Sequence, residues 1–155
     1  MTDPVNAYVV MRAEGLSVVL DVTAGRLPAI LHWGADLGEL SGEDVAALAL
    51  GGVQPIAINN VDEPVRVALL PEHHTGWVGR PGLGGSRSGR DWSPRFTTTS
   101  LCVDGSEVAA SAGPPVLVTT ATAVVEVAAT DAVAGLELVL TTELTAGGLL
   151  RSRAT

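Results

Sequence analysis

Leu136-Glu137-Leu138-Val139-Leu140-Thr141-Thr142-Glu143-Leu144 decides the fold class. Leu136, Leu138, Leu140 and Leu144 share one side of an extended chain, while Glu137, Val139, Thr141 and Glu143 take the other. Successive side chains of a strand point to opposite faces, so a period of two predicts a strand with one face on a core. Immediately before it, Asp131 to Gly135 reads as a turn. The run Val116 to Ala129 is dense in Thr and Val, which suit a pleated surface better than a helix. The two runs are therefore expected to form an antiparallel hairpin. After it, Leu149 to Ala154 follows Gly147-Gly148 and reads as another strand, still in progress at Thr155. That ending is the expectation of a truncated piece of a longer protein.

The first half repeats the pattern with weaker signals. Leu16, Val18, Leu20 and Val22 alternate up to the break at Gly25, which predicts a half-buried strand. Ala29 to Gly34 is a second apolar run. Ser41-Gly42-Glu43-Asp44 offers a capped start to the Ala/Leu-rich Val45 to Leu50, because a Ser hydroxyl and a carboxylate three positions on can satisfy free amides at a helix start. That helix should stop at Gly51-Gly52. Ile56 to Ile58 and Val65 to Leu70 read as strands around an Asn/Asp/Pro turn at 59–64. A strand from Arg95-Phe96 to Val103 should close into a hairpin at Asp104-Gly105, where glycine tolerates the positive φ of a tight turn. Cys102 reads as a core residue of that strand. Many short strands and at most one short helix give an all-β fold class, an antiparallel β-sandwich.

Composition bounds the partners. A chain of 155 residues and 15.8 kDa makes one domain. With 46% hydrophobic and 17% charged residues it is too apolar to be disordered. Every one of its nine basic residues is Arg against 17 acids, a net charge of −8, which argues against nucleic acid and anionic membrane as partners. No apolar run approaches the roughly 18 residues that cross a bilayer. Met1-Thr2-Asp3-Pro4 lacks the basic start of a secretory signal, and one cysteine allows no internal disulfide, so a cytoplasmic location is expected.

Residues 71–95 change character, with six Gly, three Pro, four Arg, two His and two Trp and no period of either kind. A connection this long without regular structure is usually functional or disordered. It carries no metal motif, since His73 and His74 are adjacent and His32 lies far upstream. Gly79 to Gly85 is glycine-rich but is followed by Ser86-Arg87-Ser88-Gly89 and no amphipathic helix, so no phosphate cradle or nucleotide cofactor is implied. Asp36 and Asp91 read as turn caps.

Gly25-Arg26-Leu27-Pro28-Ala29-Ile30-Leu31-His32-Trp33-Gly34-Ala35-Asp36-Leu37-Gly38, with the strand before it, resembles the opening of the N-terminal β-supersandwich domain in α-galactosidases of glycoside hydrolase family 36. The resemblance continues in Gly76 to Leu83, in Trp92 to Phe96, and from Gly135 to Leu138 through Leu149 to Thr155. It implies that residues 1–155 form that N-terminal domain, a partial β-supersandwich. In the family a (β/α)8 barrel follows and holds both catalytic aspartates of a retaining mechanism. The barrel is absent from this chain, so the resemblance implies no catalytic residue, no metal and no cofactor here, and a chain inactive by itself. Its implied partners are the barrel domain of the parent chain, further copies in a homo-oligomer, and a galactoside substrate.

In tetrameric family members a glycine-rich loop of this domain reaches a neighbouring subunit's sugar pocket, and residues 76–81 look similar. By that resemblance Trp77 and Arg80 are substrate-binding or subunit-interface candidates. Arg80 adjoins Pro81 directly here, and Val78-Gly79 stands where an acidic–aromatic pair often precedes the family's arginine. The physical case is that an indole face stacks on the C–H face of a pyranose and a guanidinium donates paired hydrogen bonds. The competing expectation is a free-standing carbohydrate-binding module using Trp77 and Trp92, against which stands an aromatic content of only 3%.

Overall fold

Alternation of apolar and polar residues becomes two sheets in the computed structural model, which describes residues 5–53, 55, 58–59 and 66–155. In chain order the elements are β1 (Ala7–Ala13), β2 (Leu16–Val22), β3 (Ala29–Ala35), α1 (Gly42–Gly51), β4 (Thr97–Val103), β5 (Ser106–Glu107), β6 (Val116–Thr120), β7 (Ala123–Asp131), β8 (Leu136–Leu144) and β9 (Leu150–Ala154). One sheet has the order β3-β2-β1-β6 and the other β5-β4-β7-β8-β9. The expected all-β sandwich with a single helix is what forms.

The second sheet follows the alternation closely. β7 and β8 pair antiparallel without a break from Ala123↔Leu144 to Asp131↔Leu136. The turn between them is closed by the Asp131 carboxylate, which accepts the Val133 and Ala134 N–H groups at 2.9 and 3.0 Å. It also accepts the Arg95 N–H at 2.7 Å, which ties the entry of β4 to the same turn. These amide donors, Ala134 foremost, hold the Asp131 carboxyl below its usual range. Asp104 and Gly105 both take positive φ, 49° and 75°, and connect β4 to β5 as the Asp-Gly pair predicts.

The main core lies between the sheets. Val9 and Met11 of β1 and Val18, Leu20 and Val22 of β2 meet Leu101 of β4, Val125 and Val127 of β7, and Leu138, Leu140 and Leu144 of β8. A second cluster lies on the opposite face of the first sheet, where Tyr8, Val10 and Val19 pack against Val45 and Ala49 of α1. That helix starts at a full capping box: the Ser41 hydroxyl accepts the Asp44 N–H, and the Asp44 carboxylate accepts the Ser41 N–H.

Several expectations are corrected. β2 is not half-buried: Ser17 and Val19 on its second face have no exposure, because α1 and the turn after β3 cover that side. The run Val116 to Ala129 is two strands. β6 leaves the hairpin and pairs parallel with β1, so one sheet is mixed and not purely antiparallel. β1 carries no alternation that marks it in sequence, since its apolar residues fill both faces. Residues 66–70 are irregular where a strand from Val65 to Leu70 is expected; Val65 itself and Ile56 lie outside the described residues, and Ile58 sits in a turn. β4 begins at Thr97, two residues after Arg95. Cys102 is only partly buried, on the face of β4 opposite Leu101 and Val103, and it is a free thiol.

Candidate functional site

The loop of residues 71–95 is tied down at its base. Glu72, at its start, is buried, and its carboxylate accepts the N–H of Phe96, a core residue just past the loop's end, at 2.9 Å. His74 Nε2 faces the same carboxylate oxygen at 3.2 Å. A second tie runs from the Gly82 N–H to the Pro71 carbonyl at 2.8 Å. Glycine is required there, because a Cβ on Gly82 would fall 2.3 Å from Leu70 Cδ1. Between these ties, residues His73–Thr75 make one 3-10 turn that ends on Gly76 at φ 83°.

Trp77 leaves that turn half-buried, outside both core clusters. Its indole N–H donates to the Arg80 carbonyl at 3.1 Å, and the His73 Nδ1 edge meets the Trp77 carbonyl at 3.3 Å. Gly79 lies against the ring, where a Cβ would come within 2.7 Å of the indole carbons. The structure therefore brings Trp77 and Arg80 together through a backbone carbonyl, and the Arg80 residue is exposed. The absence of a side chain at Gly79 makes room for the indole.

The two histidines diverge from the 3-10 turn. His73 stands 5.9 Å from the Trp92 ring at 55°, and Trp92 is 63% exposed. His32 Nε2 meets the Ala35 carbonyl at 3.0 Å. Among the described residues no three His, Cys, Asp or Glu side chains gather as metal ligands. Asp36 caps the turn after β3, accepting the Gly38 N–H at 3.2 Å and a forked pair from Arg12 at 2.9 and 2.6 Å. Glu39 joins the same guanidinium. The Arg12 hydrogen bonds hold the Asp36 carboxyl down at about 2. Asp91 adopts φ 57° beyond the Arg87↔Arg90 bridge, a turn position.

Sequence reasoning missed Glu72. The one signal for Glu72 is a lone acid where an apolar run meets the glycine-rich loop; nothing local marks its partner as Phe96, 24 residues on. The site so built has a part-covered indole hydrogen-bonded to the backbone of an exposed arginine, held on a loop pinned to the core. Such an arrangement can stack and hydrogen-bond a polar ring.

The chain is 31% identical over 124 residues to an alpha-galactosidase of Escherichia coli, an alignment that takes in 80% of this chain and 14% of that relative. It thus spans about a seventh of the curated relative it matches. No solved structure gives a significant match. No helix among the described residues is long and apolar enough to cross a membrane. The model of the glycosyl hydrolase family 36 N-terminal domain matches residues 26–155, which covers β3 through β9 and the whole of the Trp77–Arg80 loop, and the chain belongs to that family.

Proposed function

We propose that this chain is the non-catalytic N-terminal domain of an α-galactosidase that hydrolyses terminal α-galactosides with retention. In this reading it supports a following barrel, the oligomer and the sugar pocket. The match of residues 26–155 to the family's N-terminal domain carries the reading. The catalytic carboxylates then come from the barrel, and Trp77 and Arg80 contact either the galactoside or a neighbouring subunit. The geometry supports that role: the indole is fixed at its N–H by the Arg80 carbonyl, so little rotamer freedom is left to lose on binding. The lone free thiol, Cys102, fits a reducing, cytoplasmic compartment.

The test is thermal melting beside steady-state kinetics for the full-length enzyme, with Trp77→Ala and Arg80→Ala. Trp77→Ala is expected to lower kcat/KM by about twofold to tenfold, the size of one lost stacking contact, with the melting temperature nearly unchanged. Arg80→Ala should act likewise, and loss of the oligomer marks the interface case. A melting temperature about ten degrees lower with normal kinetics would make the loop structural. The 155-residue chain alone should not cleave an aryl α-galactoside. The exposure of Trp92 favours a second reading, a sugar-binding module that acts alone; saturable heat on titrating the chain with raffinose would support that reading against the first.

A further inference from the structure

Three parts of the 71–95 loop converge on one buried oxygen. Glu72 Oε1 accepts the Phe96 N–H at 2.9 Å from just past the loop's far end, and His74 Nε2 stands 3.2 Å from the same atom. The Glu72 side chain is 6% exposed, so water screens this contact little. Beside it the Asp131 carboxylate holds the preceding amide, the Arg95 N–H, at 2.7 Å, and lies near enough for charge on His74 to lower its carboxyl. Two consecutive amides at the loop's end therefore hang on two carboxylates, with one imidazole in electrostatic reach of both.

The 3-10 turn carries what happens at His74 to the rest of the loop. The Thr75 hydroxyl and N–H both donate to the Glu72 carbonyl, at 2.7 and 3.3 Å, and the Gly76 N–H donates to the His73 carbonyl at 3.0 Å. Both imidazoles are thus fixed to one unit. His73 Nδ1 meets the Trp77 carbonyl at 3.3 Å and its ring stands 5.9 Å from Trp92, so a change in the Glu72–His74 contact reaches the indole that rests on the Arg80 carbonyl. Imidazole is the side chain that ordinarily changes charge between about pH 5 and pH 8. Protonated His74 makes a charge-assisted bond to Glu72, about twice as strong as a neutral one. Protonated His73 gains a cation–π attraction to Trp92, which lies within the reach of about 6 Å that such contacts need. Both effects tighten the loop. The other charged groups among the described residues of this groove are Arg26, Arg66 and Arg95. Arg66 is held by Asp21 at 3.3 Å, and the exposed side chain of Arg95 is screened by solvent.

We infer that Glu72, His73 and His74 form a proton-dependent latch that positions the Trp77–Arg80 loop, closed when the imidazoles are charged and loosened as the pH rises through their titration. What the loop presents to a sugar or a neighbouring subunit rests on the α-galactosidase reading, whereas the latch is tested on the 155-residue chain alone.

NMR titration with hydrogen exchange, between about pH 5.5 and about pH 8, follows the imidazoles, the Phe96 N–H and the Trp77 indole N–H together. All three should share one midpoint with His74, and Phe96 protection, corrected for the intrinsic rate, should fall about fivefold across the range. His74→Gln keeps a donor without the charge, so both reporters should hold their alkaline behaviour at every pH. His73→Gln should leave the Phe96 response in place and abolish that of the Trp77 indole. Reporters that do not follow His74, His74→Gln that titrates like the wild type, or an indole response that survives His73→Gln would overturn the latch. The wild-type titration needs no variant, so it decides the matter even if a variant fails to fold. In the full-length enzyme, kcat/KM for an α-galactoside should fall about threefold more in the wild type than in His74→Gln between about pH 6 and about pH 8. Latch behaviour by NMR with no such kinetic difference keeps the latch and removes Trp77 from the sugar pocket.

Discussion

The two sheets of this sandwich bury the same core yet are read from sequence with unequal ease. In the sheet β5-β4-β7-β8-β9 one face meets the core and the other meets water: Val139 on the outer face of β8 is 41% exposed, whereas Leu140 beside it is 2% exposed. In the sheet β3-β2-β1-β6 both faces of β1 and β2 are covered, so Val18 and Val19, neighbours on opposite faces, both have no exposure. Alternation is a record of water on one side of a strand. Where α1 replaces that water, selection for polar residues on the second face disappears and so does the period-two pattern.

The sharpest way to break this comparison is a set of three truncations, two in β2 and one in β8. Leu20→Ala on the inner face of β2 is expected to cost about 2–5 kcal/mol, as for any well-packed core leucine. Val19→Ala, on the helix side, should cost about 1–2 kcal/mol through lost transfer energy and a cavity under α1. Val139→Ala, on the outer face of the second sheet, should stay within about 0.5 kcal/mol. Urea unfolding of the three variants checks the ranking. If Val19→Ala is as mild as Val139→Ala, the helix is not the cover that the comparison requires.

A smaller effect tests the cover from its other side. Ser41→Ala removes the hydroxyl that accepts the Asp44 N–H and should cost about 1 kcal/mol by denaturant melts, with a fall in helical signal. Equal stability of Ser41→Ala and wild type would mean that packing on Tyr8, Val10 and Val19 holds α1 without its cap.

The smallest effect is a pH dependence placed on the edge of the doubly covered sheet. Asp36 titrates at about 2 in the folded chain against 3.8 for an ordinary aspartate, because Arg12 donates to its charged form. A carboxyl whose folded value is depressed adds stability above its unfolded value and loses that contribution as the pH falls. Melting temperature should therefore decline between about pH 4 and pH 2, and Asp36→Asn should remove part of the decline. Asp131, shifted in the same direction by its amide donors, supplies another part in the second sheet, so Asp131→Asn should flatten the same window. A decline left unchanged by both variants would falsify the assignment of either carboxylate.

Much of the fold was legible where the signal is local. The β8 pattern, the Asp104-Gly105 turn, the Ser41–Asp44 cap and the loop of residues 71–95 all depend on residues within a few positions of one another, and each formed close to its expected limits. β1 was not legible, because its Ala-Tyr-Val-Val-Met run satisfies two apolar faces at once and has no period. The strand expected over Val65 to Leu70 shows the converse error: in the described residues 66–70 the Leu69 N–H reaches the Pro28 carbonyl at 2.8 Å, but apolar residues without a ladder of such bonds do not make a strand.

The candidate site divides in the same way. That Trp77 and Arg80 sit on a glycine-rich loop is plain from composition. Sequence by itself thus determined the all-β class, one domain's worth of core, the hairpin partners β7 and β8, and the place of the loop. Only the tertiary structure decided the rest. β6 joins β1 in parallel across more than a hundred residues, with Ala7 paired to Val116. Glu72 closes the loop onto Phe96, and Arg66 reaches Asp21 of β2 from 45 residues away. The physical reason is range: turns, caps and alternation are set by neighbours along the chain, whereas parallel pairing, burial on a second face and the meeting of distant charges arise only when the sheets have stacked and brought those segments together.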